Sequence, residues 1–184
     1  LNATVENLLA ITRLENGGVR LSTTAELLDD IVEEALRHVS SDAEFHHIEV
    51  VPSPNLLLVD VDARLVVQVV VNLVNNAITY TPAGSHICIS THADGGMAVV
   101  RVEDDGPGLA EKDRDHIFES FYTAGRTLAD SKRSVGLGLA LCKSIVEAHG
   151  GSISVAAVEP HGCAFEFSLP LHYLETCLLY TSPS

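Results

Sequence analysis

The sequence predicts an α/β fold: a two-layer sandwich in which one mixed, mostly antiparallel sheet carries helices on one face. Three observations point there. Apolar patterns follow the order helix, strands, helix, hairpin, glycine loop, helix, hairpin. A length of 184 residues fits one domain with a short appendage and is enough to bury more than half of the unfolded surface. Hydrophobic residues make up 46% of the chain, yet aromatics are only 5% and Trp is absent, so Val, Leu, Ile and Ala must build the core. A doubly wound parallel sheet with helices on both faces would contradict this reading.

Leu1 to Glu15 reads as a helix, because Val5, Leu8, Leu9, Thr12 and Leu14 approximate one stripe and Asn16-Gly17-Gly18 terminates it. A lone helix of this length is marginal in water, so it belongs to a bundle or a dimer partner, and its uncapped start reads as a cut through a longer helix. Ala25 to Val39 reads as a second helix, with Leu28, Ile31, Val32, Ala35 and Leu36 on one side. Ile48–Val51 and Leu56–Val59 read as short strands split by Pro52-Ser53-Pro54. The β-branched run Val66–Val71 would suit a buried strand, but the length of Arg64–Tyr80 favours a helix opened by Asp62. On that helix Val67, Val70, Val71, Val74 and Ile78 share one side, and Asn72, Asn76 and Thr79 share the other. Ile87–His92 and Ala98–Val102 form a hairpin around Asp94-Gly95-Gly96. Asp104–Leu109 is a glycine loop, Glu111–Phe118 a short helix, and Thr123–Val135 a mobile loop without apolar periodicity. Leu137–Ala148 is a helix ended by His149-Gly150-Gly151, and Ile153–Val158 with Ala164–Leu169 closes the sheet as a hairpin. His172–Ser184 fits nothing before it; it is either an appended, non-native or disordered tail or a genuine C-terminal extension.

Eleven Lys and Arg against 25 Asp and Glu give a net charge of −14. Such a surface repels phosphate backbones and anionic headgroups, which argues against nucleic acid and polybasic membrane anchoring. It leaves room for a small phosphate ligand held by backbone N–H groups and a divalent cation. Cys88, Cys142, Cys163 and Cys177 make no C-x-x-C pair, so they read as buried thiols in a reducing compartment. The N-terminus carries no signal-peptide pattern. The longest run free of charged residues, Leu65–Ala93, is broken by Asn, Gln, Thr, Pro and Gly and does not read as a membrane span.

Several nucleotide and nucleophile motifs are absent. The three lysines follow Glu111, Ser131 and Cys142, so there is no P-loop; Gly136–Leu141 lacks the third glycine of a dinucleotide fingerprint; no G-x-S-x-G elbow occurs. Four elements remain in order: Asn72-Leu73-Val74-Asn75-Asn76-Ala77, Asp104-Asp105-Gly106-Pro107-Gly108, Ile117-Phe118-Glu119-Ser120-Phe121 and Gly136-Leu137-Gly138-Leu139. Each alone is weak. Together they describe one site. Asn72 and Asn76, one helical turn apart, present hard amide oxygens suited to Mg²⁺. Asp104 ends an apolar strand, where its carboxylate can accept a hydrogen bond from an exocyclic amine. Gly106 and Gly108 permit close approach to a flat base, and Gly136 and Gly138 open a helix whose free N–H groups attract phosphate. The 123–135 loop would close over the site as a lid. The sum is a purine nucleotide held without a P-loop.

In this order and at these separations the four elements resemble the N, G1, F and G2 boxes of sensor histidine kinases, within the wider GHKL group of gyrase, Hsp90 and MutL ATPases that share the Bergerat fold. The resemblance covers about Ala25 to Pro170. Asn7–Gly17 is similar to the end of the second helix of a dimerisation and histidine-phosphotransfer domain, which favours a sensor kinase over other members. Gly17-Gly18-Val19 and Val135–Cys142 are most similar to potassium-sensing KdpD-type kinases. The resemblance implies the end of the phosphotransfer helix at 1–18, an ATP-binding catalytic domain at 19–171 and a tail at 172–184. It implies ATP and Mg²⁺ as ligands. Asn76 would bind the metal, Asn72 would support metal and phosphates, Asp104 would read the adenine amino group, and Gly106 and Gly108 would border the base. Tyr80 would pack beside adenine, Phe118 and Phe121 would anchor the lid, and Gly136 and Gly138, with Leu137 and Leu139, would receive phosphates.

Departures from the family pattern stand at Thr79, often Lys; Ser134, usually the first glycine of its box; and Cys163, commonly Thr. Arg126 in the lid would supply a phosphate charge or be plain surface. Gyrase and Hsp90 relatives carry a water-activating Glu where Asn72 stands, and an amide is no general base, so hydrolysis should be slow. The γ-phosphate acceptor would then be a histidine on a helical hairpin outside this chain. None of the nine histidines has the required H-E/D-x-R/K context; they read as surface or turn residues, and the His46-His47 pair alone is weak evidence for a metal. The implied partners are that hairpin and a response regulator, with a homodimer in the full-length kinase and a cytoplasmic location within a membrane-bound protein. Two other readings stay open. An anti-sigma-factor-type serine kinase would reveal itself by phosphoserine transfer, and a non-catalytic nucleotide-binding or dimerisation module by an ATP titration.

Overall fold

The structure, a computed structural model, describes residues 2–18, 20–124 and 136–172. Helix α1 (Asn2–Glu15) leads to strand β1 (Thr24–Leu27), helix α2 (Leu28–Leu36), a 3₁₀ turn at Ser41–Phe45, strands β2 (His47–Val51) and β3 (Leu58–Val61), and the long helix α3 (Ala63–Tyr80). The hairpin β4 (His86–Asp94) and β5 (Met97–Asp104), the single-turn α4 (Glu111–Arg114), helix α5 (Gly138–Ala148) and strands β6 (Ile153–Ala157) and β7 (Cys163–Pro170) follow.

The main sheet has the order β2-β4-β5-β7-β6, with β2 and β4 parallel and every other neighbour antiparallel. Period-2 alternation gives it two unlike faces. Ile87, Ile89, Val100, Val102, Phe167 and Leu169 are buried on the inner face, which α3 and α5 cover. On the outer face Arg101 pairs with Glu103 at 2.9 Å and Glu166 at 3.4 Å, partly exposed contacts that add little to stability. α2 packs on α3, and α1 lies along α5 and buries Ile11. This is the two-layer sandwich read from the sequence.

Four local expectations need correction. Ala25 to Leu27 is strand rather than helix, because Thr24–Leu27 pairs antiparallel with Leu58–Val61 in a small separate sheet. The same pairing moves the strand expected at Leu56–Val59 to Leu58–Val61 and leaves Leu56 79% exposed. The helix expected to reach Phe118 stops at Arg114. The buried stripe of α3 is rotated: Val66, Val69, Val70, Leu73, Val74, Ala77 and Ile78 are buried, while Val67 and Val71 are only half-buried. The helix forms despite its β-branched run because this stripe is sealed against the sheet, α2 and α5.

Polar side chains fasten the ends of α3. Asn75 Oδ1 accepts the Ser40 N–H at 2.8 Å, so this member of the first motif holds the 3₁₀ turn. At the other end His149 Nε2 accepts the Asp62 N–H at 3.0 Å, while its Nδ1–H donates to the Ile145 carbonyl at 2.7 Å. The Asp62 carboxylate accepts the Ser22 N–H at 3.2 Å, tying the segment after α1 to the same corner. His149 is therefore a structural link between α3 and α5, more than a turn residue. His46 bonds Thr81 Oγ1 at 3.0 Å whereas His47 stacks on His86, so the adjacent pair does not act together. Among the described residues no helix is long and apolar enough to cross a membrane. Most of the expected lid and all of the tail beyond His172 lie outside the described residues, with Arg126, Ser134 and Cys177.

Candidate functional site

The last apolar turns of α3, the loop after β5, the segment 117–122, the start of α5 and the start of β7 enclose a cleft. Asn76, Tyr80, Asp104, Gly108, Ile117, Gly136, Gly138 and Leu139 line it, so residues from all four motifs meet in one cavity. Asn72, Gly106 and Leu137 stand just outside the lining. Leu137 is buried in the core, where it serves as the N-cap of α5. Asn72 sits one turn before Asn76 with its Nδ2 buried and without a hydrogen-bond partner among the described residues.

Asp104 is a buried wall residue of the cleft. Pairing of β5 with both β4 and β7 places it opposite Ile87 and Cys163. Its Oδ1 accepts the Gly106 N–H at 3.0 Å, and the Cys163 backbone N–H also donates to the carboxylate. Burial nevertheless holds its pKa above the usual carboxylate value, because desolvation outweighs those two bonds and the nearby Asp105 and Glu103 charges add to it. The loop around it is packed backbone to backbone. Gly108 has φ +78°, and a Cβ there would lie 2.9 Å from the Gly162 carbonyl oxygen. Beside Asp104, burial pushes the Cys163 thiol up to about 12, so it faces the cleft as an uncharged, weakly polar group.

Sequence reasoning missed part of the apolar wall: Leu109, Tyr122 and Phe165 also line the cleft, beside Ala77 and Ile117 of the first and third motifs. Tyr122 directly follows the third motif, and Phe165 alternates with inward-facing neighbours on β7, so each carried a faint signal. Phe118 is half-buried and edge-on to Phe165 at 6.0 Å. Phe121 is instead 57% exposed with φ +66°. Thr79 is exposed and does not line the cleft. A cleft lined by both a carboxylate and a helix N-terminus suits a ligand with an amine-bearing ring and an anionic tail.

Residues 61–173 match the profile of the family described as histidine kinase-, DNA gyrase B-, and HSP90-like ATPase. The chain is 38% identical over 166 residues to the sensor protein KdpD of Clostridium acetobutylicum, covering 90% of this chain and 18% of that protein. Among solved structures, the nucleotide-free catalytic domain of histidine kinase ThkA is similar with a TM-score of 0.71 and 28% identity, covering 81% of this chain and 95% of that one. Full-length ShkA in complex with AMPPNP is similar with a TM-score of 0.80 and 26% identity, covering 94% of this chain and 36% of that one.

Proposed function

The chain belongs to the histidine kinase-, DNA gyrase B- and HSP90-like ATPase family, and from that premise we propose that it is the ATP-binding catalytic part of a two-component sensor histidine kinase. It spans about a fifth of the length of the KdpD relative. In this reading the phosphoacceptor helix and the sensor segments belong to a larger protein whose partner is a response regulator. We assign that protein to the membrane, with this chain on the cytoplasmic side as part of a homodimer. The observation that carries the reading is that the buried Asp104 carboxylate and the N-terminus of α5 line one and the same cleft.

In this reading Asp104 accepts the adenine amino group, Gly106 and Gly108 border the ring, and Tyr80 packs beside it. Phosphates lie toward Gly136, Leu137, Gly138 and Leu139, where the N-terminal turn of α5 and its dipole favour negative charge. The residues present fit Mg²⁺: Asn76 offers a neutral hard oxygen at the cleft wall, and Asn72 stands one turn before it on the same helix. When bound, Mg²⁺ neutralises charge on the β- and γ-phosphates. The chain's own residues bind and orient; Asn72, at the position where gyrase and Hsp90 relatives carry a water-activating Glu, is an amide and cannot act as a base. The γ-phosphate is therefore kept for an acceptor brought by another domain.

The test uses radiolabelled ATP with the chain alone and with a histidine-phosphotransfer hairpin added in trans. The chain alone should bind ATP, turn it over slowly and stay unlabelled. The hairpin should acquire acid-labile, base-stable label at a low rate, because docking has become bimolecular. Acid-stable label on this chain alone would overturn the histidine-kinase reading in favour of a serine kinase.

A further inference from the structure

Asp113 is a buried carboxylate with no part in the reading above. It sits in α4 and is only 6% exposed. A carboxylate withdrawn from water needs a partner, and the Tyr122 hydroxyl donates to its Oδ1. That bond keeps the phenol protonated, holding its pKa above the ordinary tyrosine value. Tyr122 in turn is a wall of the cleft.

The backbone around Tyr122 grips the entrance to α5. The Phe121 N–H donates to the Gly136 carbonyl at 2.9 Å. Gly136 has φ +74°, and a Cβ there would lie 2.6 Å from the Tyr122 carbonyl oxygen, so only glycine allows the approach. Phe121 takes φ +66°, a conformation that a bulky residue adopts when its surroundings impose it. Tyr122 is thus held twice: by its side chain to α4, and through the adjoining Phe121–Gly136 bond to the residue two before α5. The base end of the cleft, at Asp104, has no share in either contact.

We propose that Asp113 is a positioning residue for the phosphate end of the nucleotide: through Tyr122 it holds the Phe121–Gly136 clamp, and with it the start of α5, where phosphates are received. This rests on the ATP reading of the cleft. Asp113 acts through Tyr122, so the pair should behave as one unit, and its loss should be felt by a ligand with phosphates more than by the base alone.

The experiment measures Mg·ATP affinity by calorimetry and adenosine affinity by competition for the whole chain and its D113A, D113N, Y122F and D113A/Y122F variants. Loss of the pair should weaken ATP about three- to tenfold in D113A and Y122F, while adenosine changes by less than about twofold. The double variant should fall no further than the worse single one, and D113N, which retains an acceptor, should recover most of the affinity. Y122F removes one hydroxyl and keeps the test decisive if D113A does not fold. Equal losses for adenosine and ATP, additive losses in the double variant, or unchanged ATP affinity in Y122F would overturn the proposal. A wild-type chain that binds adenosine and ATP equally poorly, with Asp104→Asn having no effect, would overturn the ATP reading itself.

Discussion

Asp104 shows how one buried group couples stability to recognition. In the unfolded chain it ionises at an ordinary carboxylate pKa; in the fold, burial makes it ionise at higher pH. Below both values it is protonated in either state and ionisation costs nothing. Between them only the unfolded chain has lost the proton, and above the raised value the fold carries the full penalty, so this residue lowers stability as pH rises through the window. Asp104→Asn should therefore leave the nucleotide-free Tm at pH 7 unchanged or raised, with the difference shrinking toward acidic pH. The same variant should lose about ten- to a hundredfold or more in ATP affinity, and discrimination against GTP with it. Thermal melts across pH and calorimetry with both nucleotides check this; a variant that melts lower and binds ATP as well as the parent contradicts the assignment. Asp104 and Asn76 were legible in the sequence because their chemistry follows from residue type and spacing. Asp113 was not, since an acidic residue in a short polar helix looks solvated until its burial is seen.

At the scale of the elements, the glycine loop works only in the register of β5 against β7. Asp104 pairs with Cys163, and Gly162, with φ +130°, crosses so close that a Cβ would lie 2.0 Å from the Asp104 carbonyl oxygen. Gly162→Ala should destabilise the chain by about 1–3 kcal/mol, as strain at a special backbone position does, and weaken ATP by displacing Asp104. Urea denaturation with a parallel ATP titration tests both, and parental values in each would show that the loop relaxes freely. Several elements were legible in the sequence: α5 and the β4–β5 hairpin fall where expected, and the length of the apolar run favoured a helix for α3 although its buried stripe is rotated. Thr24–Leu27 was not, because its residues also fit the face of a helix and only the partner strand Leu58–Val61 decides between the two. α4 is short because Ile117 and Phe118 leave the helix to fill the cleft wall and the contact with Phe165.

For the whole molecule, one aliphatic core joins sheet and helices, and Phe167, 1% exposed, is among its largest wholly buried side chains. Phe167→Ala should cost about 3–5 kcal/mol through lost burial and the cavity left behind, seen as a lower urea midpoint with an unchanged slope. A loss below about 1 kcal/mol would mean that the core closes over the gap. The sequence by itself determined the sandwich class, the acidic surface and the four motifs with Asn76, Asp104, Gly108, Gly136 and Gly138, because periodicity and residue chemistry are local properties. The tertiary structure alone decided the second small sheet, the rotation of the α3 stripe, the Asp62–His149 link and the Asp113–Tyr122 pair that shapes the cleft. Each of these joins residues distant in the chain or on different elements. Which of several permitted local conformations survives there depends on what lies opposite and on how much water the contact excludes.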